Sequence, residues 1–287
     1  MIELLQEKPA LREVCDDWRA QGRRIGFVPT MGALHAGHMS LIDAARKRGA
    51  TRIVLSIFVN PTQFGPHEDF AKYPRTLTQD LALCESKELD VVYAPSVDTL
   101  YPTGFQSHVE VEQITQQLEG VVRPMHFRGV TTVVAKLLNT VGPCIAAFGR
   151  KDYQQLRVIE RMARDLDLPV DILGCPILRD PDGMAMSSRN RYLSATERQR
   201  ALAIVTGLRA ANAAYGAGER RSAELTVVVR AAVEKAFDSI DYVTLADAHS
   251  LVPCSDRLAA PAVLLVAARI GQTRLIDNAV LGEDGLV

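Results

Sequence analysis

The sequence predicts an α/β protein: a parallel sheet with helices on both faces, followed by a smaller C-terminal α+β domain. Three observations predict it. Short apolar runs with β-branched residues recur at 25–28, 52–60, 90–96, 144–149 and 170–177. Stretches of helical spacing separate them, and strands alternating with helices make a parallel sheet. From about 178 the alternation gives way to helices and then strands, which places a boundary near 176 and domains at 1–176 and 177–287.

Each element follows from local pattern. Leu11, Val14, Cys15 and Trp18 share a helical face, so 11–21 is a short amphipathic helix. Ile25 to Val28 is a buried strand, which Pro29 is expected to end because proline cannot donate to an inner ladder. Gly32 and Gly37 flank a turn of small residues, and a helix starts at about His38. Leu41, Ile42 and Ala45 form its apolar face and Gly49 its stop. The strand 52–60 ends in the polar turn Asn60 to Gly65. A helix over 77–89 leads to the strand 90–96, and 130–141 reads as a helix although its valines and threonines also suit a strand. The strand 144–149, a helix over 153–167 and the strand 170–177 complete the first domain. Beyond the boundary, Ser194 and Glu197 form a capping box opening a helix to about 214. Ser222 is expected to cap a further helix to about 238. Strands at 242–247, 262–269 and 273–278 follow, the last two joined by a tight turn at Gly271.

Composition bounds the function. At 287 residues there is room for one large domain or two ordinary ones, and 47% hydrophobic with 23% charged residues is a soluble globular balance. A net charge of −1 supplies no global attraction to nucleic acid or anionic membrane. Five scattered cysteines, never spaced CxxC, point to a reducing compartment and away from structural zinc. No signal-peptide pattern and no apolar run near the ~20 residues of a membrane span are seen. A cytoplasmic enzyme or binding protein is expected.

The stretch IGFVPTMGALHAGHMSLIDAARKRG, 25–49, reads as strand, glycine-containing loop and helix. A helix N-terminus offers free N–H groups and partial positive charge to an anion. His35 and His38, three apart, project to one side there, so HAGH reads as a phosphate-handling site; the bland alternative is a locally bonded capping turn. Ligands of parallel sheets bind beyond the carboxyl ends of the strands. Asn60 and Gln63, Lys151 and Asp152, and the segment 179–191 all follow strands, and are expected to share one crevice with the histidines. Lys151 suits phosphate as a point charge, though lysines are mostly solvated. Ser187, Ser188 and Arg189 suit a triphosphate in a closing loop, with a plain polar turn as the alternative. Zinc held by His35, His38 and His67 ranks well below phosphate, since no further ligand follows at motif spacing. His67, His108 and His249 are expected at the surface or in structural roles, and His126 on the substrate side.

Together these segments resemble the pantothenate synthetases, the pantoate–β-alanine ligases. The matching blocks are PTMGALHAGH (29–38), FVNPTQFG (58–65), YPRT followed by Asp80, RPMHFRGVTTVVAKLLN (123–139), GRKDYQQ (149–155) and MSSRNRYLS (186–194). They stand in the family's order and spacing across most of the first two-thirds of the chain. The resemblance implies a Rossmann-like parallel sheet of the HxGH nucleotidyltransferase type, with domain 1–176 binding nucleotide and pantoate and domain 177–287 acting as a lid. It implies condensation of pantoate with β-alanine through a pantoyl adenylate, with ATP and Mg²⁺, in a homodimer. ATP contacts would come from Met31, Gly32, Ala33, Leu34, His35, Ala36, Gly37 and His38, from Gly149, Arg150, Lys151 and Asp152, from Leu178, and from Met186, Ser187, Ser188 and Arg189. His35, His38, Lys151 and Arg189 would act on the reacting phosphates. Gln63, Gln155, Val133 and Val134 would hold pantoate, Gln63 also β-alanine, and Asp80 the metal. Two positions depart from the family: Arg150 replaces the usual Glu, adding charge beside Lys151, and Leu178 replaces Val. A nucleotidyltransferase acting on a phosphorylated substrate would need more cations than the neutral pair Gln63 and Gln155 provides. A nucleotide sensor would release no pyrophosphate.

Overall fold

The computed structural model describes residues 2–66, 68–258 and 261–283. The chain divides into two compact units, Met1–Arg150 with Gln155–Pro176, and Lys151–Gln154 with Ile177–Val287.

The first unit is built from β1 (Glu3–Leu5), α1 (Lys8–Ala20), β2 (Ile25–Thr30), α2 (Ala36–Lys47), β3 (Arg52–Ile57), α3 (Leu77–Ser86), β4 (Val91–Tyr93), the short α4 (Val97–Leu100) and α5 (Glu119–Val122), α6 (His126–Val141), β5 (Cys144–Gly149), most of α7 (Tyr153–Asp165) and β6 (Val170–Cys175). Its sheet has the order β1-β4-β3-β2-β5-β6, with every pairing parallel. The chain steps outward from β2 to β3 and β4, then returns to place β5 on the other side of β2. In open parallel sheets such a reversal marks the place where ligands bind, here the carboxyl ends of β2 and β5.

Period-two alternation assigns the two faces. Phe27, Val54, Ala146 and Phe148 pack on α1, α6 and α7 through Leu11, Cys15, Val130, Leu138, Leu156 and Ile159. Val28, Ile53, Leu55, Ile145 and Ala147 pack on α2 and α3 through Leu41, Ile42, Ala45 and Cys84. Both faces are therefore covered, as parallel sheets require.

In the first unit, β1 and Pro29 depart from expectation. β1 was not foreseen, because three residues at a sheet edge, one of them the exposed Leu4, carry no periodic signal. Pro29 does not end β2, which continues to Thr30. Thr30 O accepts from Phe58 N on the β3 side, so Pro29, one residue earlier, faces β5. Registered pairing with β5 covers only Gly26 and Phe27, so the missing N–H costs no ladder bond.

The second unit packs α8 (Ala195–Ala201), α9 (Ala203–Gly216) and α10 (Ser222–Glu234) against an antiparallel sheet of β7 (Ser239–Asp247), β8 (Ala262–Ile270) and β9 (Thr273–Val280). The Ser194–Glu197 capping box is present. The helix expected to run to 214 is broken at Leu202, where no glycine or proline marks the break. Ser222 is not a cap: Arg221 holds that position, and the buried Ser222 hydroxyl donates to Cys254 O at 2.7 Å.

All five cysteines are free thiols. Burial pushes Cys15 and Cys175 up to about 11 and Cys84 and Cys144 up to about 12. No described helix is long and apolar enough to cross a membrane.

Candidate active site

Between β2 and α2 the chain turns through Met31–His35, with Gly32 and Ala33 both left-handed at φ 80° and 50°. A non-glycine residue there costs roughly 1–2 kcal/mol. The Asp80 carboxylate of α3 holds the turn. Oδ2 accepts from Ala33 N at 3.0 Å and from Thr76 Oγ1 at 3.2 Å, and Oδ1 accepts from Leu34 N at 2.8 Å. Asp80 is 3% exposed, and hydrogen bonds to a charged group contribute about 1.5–3 kcal/mol each, so the clip outweighs the strain.

His35 caps α2. Its Nδ1 accepts from Gly37 N at 3.1 Å, while its own N–H donates to His38 Nδ1 at 3.3 Å. With Nδ1 accepting in both rings, Nε2 carries the hydrogen in both. Burial pulls His38 down to about 3, with repulsion from His35, should that ring also take a proton, as the lesser cause. His38 keeps some exposure, but its neutrality rests equally on the bond to Nδ1, which a proton there would break. The Nε2–H groups of His35 and His38 thus stand at the positive end of α2, an arrangement chemically suited to phosphate oxygens.

After β3 the chain makes a 3-10 turn, Pro61–Gln63, capped by Asn60. Asn60 is 1% exposed, and its Nδ2 donates to Gln63 Oε1 and to Gly129 O, both at 3.1 Å. Gln63 Nε2 lies 3.0 Å from Met31 Sδ. The glutamine and the first residue of the left-handed turn are therefore in contact. Val133 and Val134 are each 6% exposed and belong to the core face of α6, and Gln155 is half-buried on α7. Arg150 lays its side chain over β6, where a Cβ on Gly174 would stand 3.6 Å from its Nε.

The second unit carries the remaining candidates. Asn278 Nδ2 donates to Lys151 O at 2.8 Å and Tyr153 Oη to Ala248 O at 3.0 Å, while Asp152 is exposed. The segment 178–186 is a small hairpin: Met186 N donates to Leu178 O at 3.0 Å and Arg179 pairs with Ala185. Arg179 forks onto the buried Asp277 at 2.7 and 3.1 Å, and Arg198 joins Asp180 at 2.7 Å and Asp182 at 2.8 Å. Ser187 then caps a 3-10 turn, Ser188–Tyr192, accepting from Arg189 N at 3.3 Å.

Local pattern did not reveal Asp80 as a clip, because its partners lie 46 and 47 residues away. Nor did it reveal that Arg123 and His126 bond the main chain of Gln63, 60 and 63 residues distant. His108 and His249 are exposed, as expected, while His126 is 8% exposed. His67, offered for zinc, lies outside the described residues. Among the described residues no three His, Cys, Asp or Glu side chains cluster to hold a metal ion.

A family profile described as pantoate-beta-alanine ligase matches residues 3–280. The pantothenate synthetase of Syntrophotalea carbinolica is 50% identical over 284 residues, covering 99% of this chain and all of its own. The Thermus thermophilus pantothenate synthetase crystal structure superposes with a TM-score of 0.92 at 42% identity, over 98% of this chain and 99% of that one. The Francisella tularensis pantoate-beta-alanine ligase, complexed with beta-gamma ATP and beta-alanine, gives 0.80 at 34% identity over the full length of both.

Proposed function

We infer the activity from one premise: the chain belongs to the pantoate–beta-alanine ligase family. It is an enzyme that uses ATP to join pantoate to β-alanine, giving pantothenate. The observation that carries the site assignment is the contact of Gln63 Nε2 with Met31 Sδ. A glutamine suited to a small hydroxy acid abuts the start of the phosphate-binding turn, so the acid and the nucleotide would be neighbours.

In this reading a pantoate carboxylate oxygen attacks the α-phosphorus of ATP, the bond to the bridging oxygen breaks, and pyrophosphate leaves. The β-alanine amine then attacks the carboxyl carbon of pantoyl adenylate and expels AMP. Such chemistry needs positioning and charge stabilisation more than a protein nucleophile. His35 and His38 donate from Nε2 to phosphate oxygens, and Lys151 and Arg189 supply cations. Gln63 and Gln155 orient pantoate, with Gln63 also reaching β-alanine and Val133 and Val134 backing the pantoate methyl groups. Residues 1–176 bind ATP and pantoate, and 177–287 act as a lid. The reading extends to a cytoplasmic homodimer, supported by composition and family resemblance.

ATP enters with Mg²⁺ as part of the substrate. Asp80 fits poorly as a ligand for that ion: three of its roughly four acceptor positions are taken by Ala33 N, Leu34 N and Thr76 Oγ1. We assign it to the turn instead and route no step through the metal. The test is product identification with ATP, pantoate and β-alanine supplied together or with each omitted. Pyrophosphate should appear with ATP and pantoate alone; release only after amine is added would exclude the adenylate route.

A further inference from the structure

The position of Gln63 is set from α6 and the residues just before it. Its carbonyl oxygen faces His126 Nδ1 at 2.9 Å and Arg123 Nη2 at 3.4 Å. The other ring nitrogen, His126 Nε2, stands 3.2 Å from Arg123 Nη1. A guanidinium only donates and a carbonyl only accepts, so Nε2 is bare and Nδ1 carries the hydrogen. The ring is neutral, in keeping with the burial and the Arg123 charge that pull it down to about 4. Arg123 is fixed in turn by a fork onto Glu68, Nε to Oε1 at 2.7 Å and Nη2 to Oε2 at 2.6 Å. One turn along α6, a Cβ on Gly129 would stand 2.4 Å from Thr62 O and 2.7 Å from Gln63 N. The peptide carrying Gln63 is therefore pressed on the helix at Gly129 and bonded to it at His126. A partly buried ion pair adds little net stability, so this chain of polar contacts is better explained by the geometry it enforces.

We propose that Glu68, Arg123 and His126 form a positioning relay for Gln63. Glu68 orients Arg123, Arg123 fixes the His126 tautomer, and His126 Nδ1–H holds the Gln63 carbonyl so that its carboxamide meets pantoate. His126 touches no substrate. The inference rests on the assignment of Gln63 to pantoate made above.

The two imidazole nitrogens separate the roles. Asparagine places an amide N–H near the Nδ1 position, whereas glutamine reaches the Nε2 position. Steady-state KM values for pantoate and for ATP, with kcat, are measured on full-length Gln63→Ala, His126→Ala, His126→Asn, His126→Gln and the double variant Gln63→Ala/His126→Ala. His126→Ala should raise the pantoate KM about tenfold, the loss of one ordinary hydrogen bond, and leave the ATP KM within about twofold. His126→Asn should restore most of it and His126→Gln little. The double variant should be no worse than Gln63→Ala, because His126 acts through Gln63. Rescue by glutamine rather than asparagine, or additive losses in the double variant, would overturn the relay. A raised pantoate KM in Gln63→Ala with none in His126→Ala overturns it alone. A normal pantoate KM in Gln63→Ala removes the assignment beneath it as well. Should His126→Ala not fold, Glu68→Gln at the outer end of the relay serves: a raised pantoate KM at constant ATP KM supports the relay, and unchanged values overturn it.

Discussion

The main-chain N–H of His35 donates to Nδ1 of His38, and the two rings stand 4.1 Å apart. The bond turns Nε2 of His38 into the donor, so the ring serves the helix with one nitrogen and keeps the other for the phosphate role proposed for it. His38→Ala should therefore slow adenylate formation by ~10²–10³, the usual loss for a positioned donor to developing charge. The lost cap bond should cost only about 1 kcal/mol, so the variant stays folded. Pyrophosphate release and a thermal melt check both; a folded variant with a near-normal rate removes His38 from the reaction.

Asp80→Asn keeps the shape of the clip but exchanges a double acceptor for an amide that can satisfy only one of Ala33 N and Leu34 N. ATP affinity should fall about tenfold, since one charge-assisted bond at the turn is lost. The Mg²⁺ concentration for half-maximal rate at saturating ATP should not move. A large rightward shift of that magnesium curve would instead mark Asp80 as a ligand.

Arg189→Ala should slow the first half-reaction more than the second, because the pyrophosphate it is assigned to contact has left before the amine attacks. Rapid-quench measurement of adenylate formation, and separately of its consumption by β-alanine, decides. Normal adenylate formation with slow amine attack would end the phosphate role of this segment.

His38 and His126 are neutral in the fold, at about 3 and about 4, both below the ordinary value of 6.5. Below 6.5 the unfolded chain takes up protons that the folded chain refuses. The stability from burying these rings neutral is thus full above pH 6.5 and declines as the pH falls toward 4. Each ring contributes a slope of up to about 1.4 kcal/mol per pH unit. Urea midpoints between pH 7.5 and 5 should drop, and His126→Asn should flatten the fall by about half; equal midpoints across that window would contradict it.

What could be read in advance follows the range of the forces involved. Five of the six strands of the parallel sheet, and the turn into α2 that carries HAGH, were legible because periodicity, glycine and capping preferences act within a few residues. Ser222 misled for the same reason: it looks like a cap locally, but its hydroxyl is committed to Cys254 O, 32 residues on. Pro29 misled because whether a missing N–H matters depends on where the neighbouring strand stops, which one sequence does not state. The clip at Asp80 and the bonds to the Gln63 carbonyl depend wholly on which distant segments meet.

The buried cysteines make the chain a reporter of its own opening. Thiolates are the species that alkylating reagents attack. With Cys15, Cys84, Cys144 and Cys175 held at about 11 to about 12, almost none of these four sulfurs is thiolate at neutral pH, and all four side chains are buried. Three of them line the two faces of the parallel sheet and Cys144 opens β5, so labelling any of the four requires part of the first unit to come apart. Iodoacetamide added to native protein therefore clocks unfolding cysteine by cysteine, and the order of labelling reads out which face of the sheet gives way first.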